Sequence, residues 1–72
     1  MPNYDELKRN FEHLVDVLAE TKQEFEEAYN DSLDREERAF AANNAVTNMI
    51  SVESIITQIL GDLQDRATEL RD

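Results

Sequence analysis

A chain of 72 residues with no cysteine and a single histidine, His13, has neither disulfides nor thiolate or imidazole metal clusters to supplement its core. Seventeen acidic residues against seven lysines and arginines give a net charge of −10, which excludes direct binding to nucleic acid or to an anionic membrane, since both need basic patches. One glycine and one proline leave almost no turn vocabulary, and no alternating β-branched run is bounded by turn residues, so the expected class is all-α.

A core this small supplies no more than about 3–5 kcal/mol unaided. Self-association is the remaining source of stability, and a homodimer is expected by elimination. No run of about 18 apolar residues is present to span a membrane. The opening Met1-Pro2-Asn3-Tyr4-Asp5-Glu6 has no basic region followed by an apolar one, which predicts a cytoplasmic protein.

The first predicted helix covers about residues 3–31. Asn3 is its candidate N-cap, with Asp5 and Glu6 in the first turn, where carboxylates suit the helix dipole. Tyr4, Leu7, Phe11, Leu14, Leu18, Phe25 and Ala28 recur at three- and four-residue steps, widened by Val15 and Tyr29, and predict a coiled-coil seam. The four aromatics of this stripe are expected in the core. Residues 30–34, Asn-Asp-Ser-Leu-Asp, are the predicted turn, and Asp34 followed by Glu37 reads as a capping box.

The second predicted helix covers about residues 34–70. Its stripe is Ala42, Ala45, Met49, Val52, Ile56, Ile59, Leu63, Ala67 and Leu70, bordered by Ile55 and Leu60, with Val46 and Ile50 straying towards a second face. So wide an apolar arc predicts contact with more than one neighbouring helix. Phe40 falls off the stripe, which leaves two readings: it packs against a partner, or the helix breaks near residues 41–45 and makes three helices. The expected architecture is a single domain, an antiparallel αα-hairpin with a long second helix, dimerising into a four-helix bundle.

Two surfaces are candidate binding sites. Glu12, Asp16, Glu20, Glu24, Glu27 and Asp31 form an acidic ridge on the side of the first helix opposite the predicted seam. Neighbours in such a row sit about 6 Å apart and each like-charge pair costs about 0.2–0.5 kcal/mol, so stability alone would alternate acid with base. The ridge predicts a protein partner with a basic surface; the bland alternative is a solvated face. The second surface lies on the other helix, where Glu53 is the sole ionisable residue between Ala39 and Gly61. Charge depletion marks interface cores, so Phe40, Asn43, Asn44, Thr47, Ile50, Ser51 and Ser54 are expected at a homodimer seam or a partner contact.

Glu24-Phe25-Glu26-Glu27 and Asp62-Leu63-Gln64-Asp65 resemble the paired acidic motifs of helical magnesium-dependent nucleotide pyrophosphatases. The second element has Asp where that family has Glu, the gap is longer, and no basic residues are placed for phosphates. No phosphate loop or nucleophile elbow is present, so neither a catalytic residue nor a cofactor is assigned. The expected function is that of a small acidic inhibitor, of the kind viruses and mobile elements use, whose ridge substitutes for phosphates and occludes the nucleic-acid-binding site of a target protein. The alternative is an assembly adaptor or chaperone that works through the neutral face of the second helix.

Overall fold

The computed structural model describes residues 4–71 and shows two antiparallel helices, α1 (Tyr4–Ala28) and α2 (Arg35–Arg71), packed against each other as a hairpin. Its long axis of 56 Å is that of α2, whose 37 residues exceed the 25 of α1 by twelve. The expected cap at Asn3 lies outside the described residues. α2 runs through Ala41–Asn44 without a break, so the three-helix reading is excluded.

The connection forms where the sequence places turn residues. α1 ends at Ala28, three residues before the expected limit of 31, and tightens: the Tyr29 and Asn30 N–H groups donate to the carbonyls of Glu26 and Glu27 at 3.3 and 3.1 Å. The Asn30 side chain accepts from the Ser32 N–H at 2.9 Å, holding the chain out of the helix. Asp34 then caps α2, its carboxylate accepting from the Glu37 N–H at 2.8 Å.

The helix–helix seam is rotated from the predicted stripes. In α1 the buried and half-buried residues are Leu7, Asn10, Leu14, Val17, Thr21, Glu24 and Ala28. Their three–four spacing sets a heptad with Leu7, Leu14, Thr21 and Ala28 at a, and Asn10, Val17 and Glu24 at d. α2 answers with Arg38, Ala45, Val52 and Ile59 at a, and Ala41, Asn48, Ile55 and Asp62 at d. Ala41, Val52 and Ile59 are the buried apolar residues, with Thr21 beside them. The Thr21 hydroxyl is satisfied within its own helix, donating to the Val17 carbonyl at 2.7 Å. Small residues are part of this seam, Thr21 and Ala28 on α1 and Ala41 and Ala45 on α2, and the side chains at a helix–helix contact set how closely the two axes can approach.

The aromatics expected in the core are therefore exposed. Tyr4, Phe11, Leu18 and Phe25 all occupy position e of α1, and Ala42, Met49, Ile56, Leu63 and Leu70 occupy e of α2. In an antiparallel pair the two e rows flank the seam on the same side, and the two g rows flank it on the other. The predicted stripes were the a and e rows together. They combined the hairpin's own seam with a second apolar row that the hairpin leaves open.

Candidate protein-binding faces

The hairpin has two unlike sides. On the e side, Leu18, Lys22 and Phe25 of α1 and Ala45, Val46, Met49, Ile50 and Glu53 of α2 line an open groove of about 650 Å³, floored by Thr21. The Phe25 and Tyr29 rings, one turn apart, meet at 5.3 Å between centroids and 57° between planes on this side. On the g side every flanking residue is polar: Glu6, His13, Glu20 and Glu27 on α1, and Glu37, Asn44, Ser51, Gln58 and Asp65 on α2.

The ridge divides in the structure. Glu12, Asp16, Glu20 and Glu27 are exposed, whereas Glu24 sits half-buried at the hairpin seam, away from the sector assigned to it by the helical count. There it accepts a hydrogen bond from the Asn48 amide at 3.1 Å. Burial, and after it the charges of Glu20 and Glu27, push the Glu24 carboxyl above its ordinary value. Asp31 lies in the connection and pairs with Arg38 at 3.7 Å. The ion pairs Lys22–Glu26 at 3.9 Å and Arg66–Glu69 at 3.2 Å lie elsewhere, so among the described residues Glu12, Asp16, Glu20 and Glu27 have no cation within ion-pair distance.

The neutral set divides as well. Asn44, Thr47, Ser51 and Ser54 occupy g and c positions of α2, on the same side of the hairpin as Asp16, Glu20 and Glu27, and Asn43 lies at the outer edge. Ile50 belongs instead to the apolar groove. Phe40 is exposed beside the connection, forming an open hollow with Leu33 and the carboxylates Glu27, Glu36 and Glu37. His13 is exposed. The two acidic tetrads lie at opposite ends of the hairpin, since residues 24–27 close α1 while residues 62–65 lie opposite its beginning. No group of three or more metal-ligating side chains occurs among the described residues, and no helix is long and apolar enough to cross a membrane.

The fold and faces define an all-α helical hairpin with one apolar and one acidic side. The chain matches no protein-family model, no curated protein and no solved structure.

The sequence reading missed the e-row groove as a separate surface. The signal was present: Leu18 and Phe25, like Met49 and Ile56, are seven residues apart and keep their own row beside the a row.

Proposed function

We propose that this chain is a non-catalytic, cytoplasmic binding protein that joins a second copy into a four-helix bundle and uses the acidic side of α1 to occlude a basic, nucleic-acid-binding site on a target protein. The uncompensated ladder carries this reading. Among the described residues, Glu12, Asp16, Glu20 and Glu27 stand exposed without a cation partner, at a cost in helix stability that an alternating pattern would remove. A basic groove supplies the missing counter-charge, and a rigid helix presents the carboxylates at a fixed pitch, as a nucleic acid presents its phosphates. Asp31, already paired with Arg38, and Glu24, bonded to Asn48, contribute field more than contact.

The test is capture of partners from host lysate on the immobilised chain, with elution in steps of rising salt. A basic nucleic-acid-binding protein released at moderate salt, displaced by short DNA or RNA duplexes and lost on Asp16→Lys with Glu20→Lys is the expected result. Capture unchanged by the double reversal defeats the reading.

A second reading rests on the neutral residues beside the ladder. Asn44, Thr47, Ser51 and Ser54 offer amide and hydroxyl groups on the same side without charge, the surface of an assembly adaptor. Binding there would hardly respond as the Debye length falls from about 10 Å to about 3 Å.

A further inference from the structure

We propose that the apolar e-row face is the seam between two copies of this chain, so that the bundle closes over Leu18, Phe25, Met49 and Ile56 and leaves the acidic sides outward. The proposal deepens the reading above by naming the surface that a second copy covers, which is not the neutral face expected from charge depletion.

Size makes the first argument. The chain exposes 5843 Å², whereas a compact monomer of 8.3 kDa is expected to expose about 4,600 Å². The excess, about 1,250 Å², exceeds the roughly 800 Å² that each partner contributes to a stable interface of standard size. The apolar surface is also concentrated. Phe11, Leu18, Phe25, Met49, Ile56 and Leu63 are each 42–56% exposed, and all six lie in the two e rows on one side of the hairpin. Largely apolar a and e rows on both helices, the a row turned to the hairpin's own seam and the e row left open, are the pattern of bundle helices with two neighbours.

Charge makes the second argument and selects the occupant. Two copies carrying −10 each repel unless the charge is kept out of the contact. It is kept out here. The e and b rows hold three bases, Lys8, Lys22 and Arg35, against one acid, Glu53, while the g and c rows hold six acids and one base, Arg9. Both lysines of the chain thus edge the apolar face, on α1, and the lone carboxylate of this face stands on α2. The face suits a second copy of itself: it is apolar, it carries a base-and-acid rim of low charge, and it keeps the acidic ladder of each chain on the side turned away.

Sedimentation of the purified chain alone tests this, with no dependence on the target. The wild type is expected at twice the 8.3 kDa chain mass at micromolar concentration, fully helical and without binding of a hydrophobic dye. Leu18→Glu with Met49→Glu is expected to give monomer with dye binding or lost helicity, while Ser51→Glu with Ser54→Glu keeps the dimer. A wild type that sediments as a folded monomer overturns the proposal. So does a dimer that survives the e-row pair and is broken by the serine pair, which would return the seam to the neutral face and leave the bundle intact.

Discussion

The Asn48 amide donates to the Glu24 carboxylate at 3.1 Å, and this is a hydrogen bond between side chains of the two helices. Both residues occupy d positions, among apolar and small neighbours, and their pairing ties one turn of α1 to one turn of α2. A register slip would leave each without the other, at the penalty that any unmet polar group in a seam carries. Asn48→Ala should therefore lower the melting temperature, and Asn48→Ala with Glu24→Ala should lower it by less than the two single changes combined. Thermal melts of the four proteins form the cycle, and strict additivity would show that the bond contributes nothing.

The same carboxylate makes a pH prediction. Glu24 titrates above its ordinary value when folded, chiefly through burial and then through Glu20 and Glu27. The folded chain thus binds this proton more tightly than the unfolded chain. The contribution of Glu24 to stability falls as pH rises from the ordinary glutamate range through its folded value, and returns on acidification. Glu24→Gln should melt higher than the wild type at pH 7 and lose that advantage near pH 4. An advantage independent of pH would assign the effect to something other than ionisation.

The cap gives a local prediction with a known scale. Asp34→Ala removes the acceptor of the Glu37 N–H and should cost about 1 kcal/mol, a fall of about 4–8 °C in melting temperature for a domain of this size. Asp34→Asn should recover most of it. Hydrogen exchange at the start of α2 localises the loss.

Core and flank residues should separate in the same assay. Ile59 is 5% exposed and Ile50 63%. Ile59→Ala is expected to cost about 2–5 kcal/mol, enough to unfold so small a chain. Ile50→Ala should stay within about 0.5 kcal/mol in a lone hairpin, as surface substitutions do, and should cost more where a second copy closes over the groove that Ile50 lines. Denaturant titration followed by circular dichroism reads both.

The ladder predicts opposite signs for stability and for binding. Glu20→Lys places a base one turn from Asp16 and from Glu24, converting two repulsions into attractions of about 0.2–0.5 kcal/mol each. Helicity should be retained or rise while target capture falls. Parallel loss of both would mean that the ladder serves folding.

The helical hairpin was legible because its signals are local. A cluster at residues 30–34 has no competing turn elsewhere, and Asp34 caps where its spacing to Glu37 places it. The rotation of the seam was not legible. Asn10, Glu24, Asn48 and Asp62 are polar residues at inward d positions, and hydropathy spacing discards them in favour of Phe11, Phe25 and Met49. Small residues, Thr21, Ala28, Ala41 and Ala45, complete that seam, and their fit between helices is invisible to an apolar count. Glu24 was misplaced for a different reason: a row read at every fourth residue drifts around the helix until one member reaches the seam.

The sorting of charge between the two sides has a consequence for valence. If the apolar faces are spent on each other, the acidic faces of the two copies look in opposite directions, each complete on one chain and neither shadowed by the other. Such a particle is two-headed. It would engage two target molecules at once, with a stoichiometry of one target per chain, and on a target that is itself multimeric it would act as a cross-bridge, gathering copies into arrays instead of merely plugging single sites.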